Sequence, residues 1–313
     1  MGEVWFAAAN GGMGGGEVML LHLAEAARTI GWRVGVLAPA NPGDAAAAAL
    51  AAGHEVVVLP NSGRRDYAWQ LRRWRLRHRR HLLWCNGLLP GLATAGLPNR
   101  VLHLHRAVSP RGRIAVAAAR LGARRVVVPS AFLARQIRGA LVLPNWTSEF
   151  VQLPPPSPSR PLRVGFLGRL APEKGILGLL QAITRLDAAD PGGVRLVLGG
   201  EPTFTTPRER AELDDALAGL TGLVDRPGWL KPTEFFGRVD VAAFPSLGPE
   251  SFGLVAAEAM ACGIPFVVSD AGALPEVVGP NHPYVVSAGD VDALAQAIMA
   301  ATECPRPPLR RPG

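Results

Sequence analysis

Cysteine is scarce in this chain. The three, Cys85, Cys262 and Cys304, are odd in number, far apart and without CxxC spacing, which excludes a disulfide framework or a zinc site and implies a reducing compartment. Long apolar runs are also missing. The opening MGEVWFAAANGG lacks a basic start followed by an apolar core, and the Ala-rich run from Ala45 to Ala52 is too short for a bilayer of about 30 Å. Neither secretion nor membrane spanning is expected. Lysine is nearly absent: of 33 basic residues only Lys174 and Lys231 are lysine. There is no repeat of fixed period, and low complexity is confined to the Ala run, a proline cluster and the tail from Pro305 to Gly313.

What remains is 48% hydrophobic and 19% charged, with 36 glycines and 29 prolines among apolar runs in 313 residues. That composition suits two turn-rich globular domains and argues against disorder or a fibrous repeat. The net charge of +8 is local. Arg64 to His81 carries eight arginines against one acid, Asp66, for +7, leaving 25 basic against 24 acidic residues elsewhere. A high pI with that distribution is a poor argument for nucleic-acid binding.

The densest break is Leu153 to Pro161, LPPPSPSRP, whose five prolines forbid helix or central strand. The expected domains are therefore 1–152 and 162–313, joined by a Pro-rich linker at 153–161. Before the linker, EVWFAAA, RVGVLAP, EVVVLP, HLLWC, RVLHLH and RRVVVP alternate with helix-length segments. After it come LRVGFLG, VRLVLGG, DVAAFPS, PFVVSD and PYVVS. Nearly continuous apolar strands separated by helices predict parallel sheets covered on both faces. The expected fold class is α/β: two doubly wound, Rossmann-like domains facing across a cleft at the carboxyl ends of their strands.

The loop NGGMGGG, Asn10 to Gly16, follows the first strand and opens a helix expected from Glu17 to Ile30. Glycines at such a turn let backbone amides approach a ligand closely. A dinucleotide fingerprint is excluded, because no frame gives GxGxxG and the second strand ends in Ala38 and Pro39 rather than an acid. A ligand-free flexible turn stays open beside the binding reading.

In the second half, a strand ending in Gly168 leads into Arg169, Leu170 and APEKG, with a helix expected near Gly175. Two cations, Arg169 and Lys174, at a helix mouth suit a diphosphate. Then comes FPSLGPESFGLVAAEAMACGIPFVVSD, in which Glu250 and Glu258 stand eight apart around Ser251, Phe252 and Gly253. With a helix starting near Gly253, Glu250 lies on the loop and Glu258 one and a half turns in. The two carboxylates could accept from two pairs of ligand hydroxyls, with the amides of Phe252 to Leu254 left for an anion. Bare surface glutamates are the alternative, weakened by the small and apolar residues around Glu258.

GRLAPEKG, DVAAFPS and PESFGLVAAEAMACGIPFVVSDAGALPEVV resemble the sugar-nucleotide domain of the GT-B retaining glycosyltransferases, specifically glycosyltransferase family four, whose E-x7-E motif falls on Glu250 and Glu258. The Gly-rich first loop, VLHLH, VVVPSAFLARQI and VLPNW extend the similarity more weakly over the first domain. The resemblance implies that Arg169 and Lys174 hold the donor diphosphate, Glu250 contacts the donor sugar and Glu258 takes the ribose hydroxyls. Ser251, Phe252, Gly253 and Leu254 would line the donor site, and Gly15 and Gly16 the first-domain side. His105 falls where the family places a histidine beside the sugar, with His103 a rival on the same strand face.

It further implies a retaining, hexosyltransferase-type transfer from a nucleoside-diphosphate sugar to an acceptor hydroxyl, in which the departing phosphate oxygen helps to deprotonate the acceptor. No DxD-type pair is suitably placed, so neither a metal nor any other cofactor is expected. A sugar-nucleotide epimerase and a non-catalytic sugar-nucleotide or polyanion binder are the competing readings.

Two departures stand out: VLPNWTSEF lacks the acid that often follows the family's asparagine, leaving Asn145 a doubtful site residue. The long terminal helices that commonly cross back to the first domain have no counterpart after Ala300, so either domain closure is less restrained or another contact replaces them.

RRDYAWQLRRWRLRHRR remains. Tyr67, Leu71, Trp74 and His78 form one helical stripe, with arginines filling most of the rest. One reading is a surface helix with solvated guanidinium groups. The other is a surface drawn to an anionic or lipid-linked acceptor, or to anionic lipid, making the protein cytoplasmic and peripheral at the inner membrane face. No nucleic-acid motif accompanies the charge, so no nucleic-acid partner is expected.

Overall fold

The computed structural model describes residues 2–109, 112–147, 160–203 and 205–303. The chain divides into two compact units, Met1–Trp146 and Thr147–Gly313. Positions 153–159 of the expected linker lie outside the described residues.

The first unit contains β1 (Glu3–Ala7), β2 (Arg33–Pro39), β3 (Glu55–Leu59), β4 (Leu82–Asn86), β5 (Arg100–His103), β6 (Ala123–Val128) and β7 (Leu141–Val142). They form one sheet in the order β3-β2-β1-β4-β5-β6-β7, and every pair is parallel. The near-continuous apolar strands follow from burial on both faces. Val4 and Phe6 of β1 pack with Met19, Leu20 and Leu23 of the helix Gly15–Thr29. Trp5 and Ala7 pack on the other face with Tyr67, Leu71 and Trp74 of the helix Arg64–Arg77. Burying a side chain such as Leu71 stabilises this arrangement by about 1.5–3 kcal/mol.

The second unit contains β8 (Leu162–Leu167), β9 (Val194–Gly199), β10 (Val224–Gly228), β11 (Val241–Phe244), β12 (Phe266–Ser269) and β13 (Val285–Val286). Their order is β10-β9-β8-β11-β12-β13, again all parallel. Val164, Leu196, Val241 and Val267 face one core, while Leu167, Val197, Ala242 and Val268 face another. In each unit the strand order reverses beside the first strand, between β1 and β4 and between β8 and β11. Open sheets of this kind bind ligands at that reversal, outside the carboxyl ends of the strands.

Three local expectations need correction. The first helix starts at Gly15 rather than Glu17, because Gly14 takes the N-cap position and the glycines enter the first turn. The fifth strand stops at His103, so His105 lies in the loop beyond it rather than closing the strand. The arginines of the basic helix are not all solvated. Arg75 is fully buried and donates to the carbonyls of His78 and His81, both at 2.8 Å, of Pro98 at 2.5 Å, of Arg79 at 3.2 Å and of Asn99 at 3.3 Å.

Candidate functional site

The loops after β8 and β11 meet in the second unit. A short 3-10 turn, Pro172–Lys174, ends at Gly175, which caps the helix Ile176–Ala189 with φ +74°. A Cβ at Gly175 would lie 1.8 Å from the carbonyl oxygen of Pro245, so glycine is required both by backbone conformation and by close approach. The amides of Leu247 and Gly248 donate to the Glu173 carbonyl at 2.9 and 3.0 Å, tying the loops together. Gly272, at φ +66°, closes the other side: a Cβ there would meet the Glu250 backbone at 2.3 Å, and the Ala273 amide donates to the Glu250 carbonyl at 2.9 Å.

This backbone frame brings Lys174 and Glu250 into an ion pair. Glu250 Oε1 also accepts from Ser246 Oγ at 2.6 Å, and Ser269 Oγ, at the end of β12, donates to the Ser246 carbonyl at 2.6 Å. Arg169 pairs with Glu173 at 2.7 Å on its own loop. Two ion pairs, Arg169–Glu173 and Lys174–Glu250, therefore stand on the loops at the strand-order reversal.

The helix Leu254–Cys262 opens at Gly253, φ +91°, with no capping side chain. Ser251 and Phe252 precede it, and Leu254 is its first residue. Glu258 is half-buried on this helix. Burial pushes its carboxyl up to about 7. Among the described residues no hydrogen-bond donor or cation reaches that carboxylate, so it awaits donors that a ligand could bring.

The first unit presents its own cluster. Asn86, the last residue of β4, donates from Nδ2 to the Gly16 carbonyl at 2.9 Å and accepts on Oδ1 from His105 Nε2 at 2.7 Å. That contact makes His105 the Nε2–H tautomer. A Cβ at Gly16 would come within 3.7 Å of the His105 ring, whereas Gly15 faces open space. His103, the rival, is 1% exposed and accepts from Trp84 Nε1 at 3.3 Å. The two imidazoles share a side, their centroids 3.9 Å apart. Burial holds His105 down at about 4, and burial with the His105 neighbour holds His103 well below its ordinary value. Both rings are neutral at pH 7.

Four residues join these clusters without having been singled out from the sequence: Asn86, Glu17, Ser246 and Ser269. Glu17 is buried beneath the glycine loop, where it accepts from the Asn10 amide at 3.2 Å, and burial raises its carboxyl to about 7. The detectable signal for Asn86 and Ser269 was a polar residue ending an apolar strand, and for Ser246 one two residues beyond such a strand.

Comparison with known proteins adds an independent line. The family model described as Glycosyltransferase Family 4 matches residues 13–153, and the one described as Glycosyl transferases group 1 matches residues 161–303. The chain belongs to the family-four-like GT-B glycosyltransferases. HepE of Anabaena, solved with UDP and glucose, has the same architecture as this family-four-like chain, with TM-score 0.80 and 25% identity, over 96% of this chain and 89% of that one. WaaG, at 14% identity and TM-score 0.72, shares the fold. Among curated relatives, an MMP alpha-(1->4)-mannosyltransferase of Mycolicibacterium hassiacum is 40% identical over 147 residues, 45% of this chain and 34% of that protein. A D-inositol 3-phosphate glycosyltransferase of Mycobacterium marinum is 38% identical over 145 residues, 43% of this chain and 29% of that protein. The matched span is thus about a third of those relatives' length.

Proposed function

We propose that this protein is a retaining glycosyltransferase of the hexosyltransferase type, moving a sugar from a nucleoside-diphosphate sugar to an acceptor hydroxyl without a metal ion. The observation that carries the reading is the Lys174–Glu250 pair, held at the strand-order reversal by the backbone of Glu173, Gly175 and Gly272. Arg169 and Lys174 would neutralise the charge that grows on the leaving diphosphate, the task a metal performs in other sites. Glu250 would accept from sugar hydroxyls and Glu258 from the ribose. Neutral His105, held by Asn86, would with Gly15 and Gly16 form the ligand-facing corner of the first unit. The UDP and glucose held by the Anabaena relative support a nucleotide-sugar donor.

The chemistry then needs no enzyme nucleophile. The departing phosphate oxygen takes the acceptor proton as the new glycosidic bond forms on the face the diphosphate leaves, which preserves the anomeric configuration. The test is release of nucleoside diphosphate from a panel of donors, with and without acceptors. Slow release that Lys174→Ala and Glu250→Ala both abolish supports the transferase, and a product of unchanged anomeric configuration supports retention. Release unaffected by either substitution, or none from any donor, would leave a binding protein instead.

A further inference from the structure

The helix Arg64–Arg77 has apolar residues on two opposite sides. Tyr67, Leu71 and Trp74 are buried against the sheet. At 3.6 residues per turn, Trp69 and Leu76, seven apart, lie on one line about halfway round from that stripe. They are 52% and 38% exposed. Arg65 and Arg72 border this line on one side, Arg73 and Arg77 on the other, all exposed. Arg73 stacks its guanidinium over the Trp69 ring at 4.5 Å. Exposed Arg64, Arg79 and Arg80 extend the positive field beyond the helix ends. The one acid, Asp66, accepts from the Ser62 amide at 3.0 Å at the helix start.

Trp69 and Leu76 thus form an apolar apex flanked by arginines on both sides, the arrangement of an interfacial helix. We infer that this face docks the protein on a bilayer containing anionic phospholipid, with Trp69 and Leu76 at the headgroup boundary and the flanking arginines on the headgroup phosphates. Charge complementarity names the partner's sign, and the apolar line names its phase. A nucleic-acid backbone would satisfy the arginines but leave Leu76 in water. No helix of the described residues is long and apolar enough to cross a membrane, so the contact is one of surface adsorption. It does not depend on the sugar-nucleotide reading, since donor release is measured without vesicles.

The experiment sediments the full chain with phosphatidylcholine vesicles, with and without phosphatidylglycerol. Wild type should bind only the anionic vesicles and detach in roughly 1 M salt, where the screening length falls to about 3 Å. Arg64→Gln, Arg65→Gln, Arg73→Gln and Arg77→Gln together should weaken binding more than about 100-fold, at about fivefold per arginine near an anionic surface. Arg72 is spared because it donates to the carbonyls of Ala93 and Ala95, both at 3.2 Å. Trp69→Ser with Leu76→Ser should weaken binding about tenfold or more with all charges kept. These side chains face solvent, so both variants should melt as wild type does. The inference is overturned if wild type ignores anionic vesicles or binds zwitterionic ones equally. It is also overturned if the serine pair binds vesicles as wild type does, or if single-stranded RNA binds both proteins alike and displaces the vesicles. The last outcome would mark a general polyanion patch.

Discussion

Replacing Gly175 by alanine isolates the backbone contact on which the donor site is built. Gly175 and Gly192 have nearly the same left-handed φ, +74° and +75°, but a Cβ at Gly175 would sit 1.8 Å from the Pro245 carbonyl oxygen while one at Gly192 meets nothing within 4 Å. Alanine at Gly192 should therefore cost only the conformational penalty, roughly 1–2 kcal/mol. Alanine at Gly175 should cost that plus about 1–3 kcal/mol for the overlap, because the loops after β8 and β11 must separate. In a unit of this size each kcal/mol lowers the melting midpoint by about 2–4 °C, so Gly175→Ala should melt at least about 2 °C below Gly192→Ala. Function should diverge further: moving Lys174 away from Glu250 by about 1 Å should slow release of nucleoside diphosphate on the order of 100-fold, while Gly192→Ala keeps the wild-type rate. Calorimetric melting and a coupled diphosphate assay read the two effects. Equal melting and equal rates in both variants would refute the idea that this close approach shapes the site.

Three further outcomes follow from the same geometry. The Glu258 carboxyl is raised from 4.5 to about 7 by burial, so its ionisation opposes folding progressively as pH climbs from 4.5 through about 7. Hydroxyl donors from a nucleotide ribose favour the ionised form, so nucleotide affinity should rise with pH toward about 7, by at most tenfold per unit. Glu258→Gln should flatten that profile in titration calorimetry. Arg75→Met takes a donor from five carbonyls, of which those of Arg79 and Asn99 keep another, and should cost about 3–5 kcal/mol in denaturant unfolding, against less than about 0.5 kcal/mol for exposed Arg77→Met. Asn86→Ala removes the partner of both His105 and the Gly16 carbonyl and should slow donor turnover at least about tenfold with a stability loss near 1–3 kcal/mol.

Among the described residues, eleven of the thirteen strands were legible as apolar runs, because burial on both faces leaves that mark. The two that were not are edge strands: β7 has two exposed residues, and β10 reads VDRPG, with too little apolar surface to register. The glutamate spacing and the EKG turn were readable because charges stood among small residues. What stayed hidden was pairing across long sequence separations, as between Asn86 and Gly16 or between Ser246 and Ser269. Arg75 had a readable clue that charge obscured: it follows Leu71 by four residues and Trp74 by one, which puts it on the buried stripe.

Titration calorimetry with UDP, GDP and ADP and their glucose conjugates tests the central assignment most directly, on wild type, Lys174→Met and Glu250→Ala. For the nucleotide the protein recognises, Lys174→Met should weaken the diphosphate and its sugar conjugate alike, whereas Glu250→Ala should erase only the extra affinity conferred by the sugar. Wild-type affinity for every nucleotide in both variants would contradict the assignment of Lys174 to the diphosphate and Glu250 to the sugar.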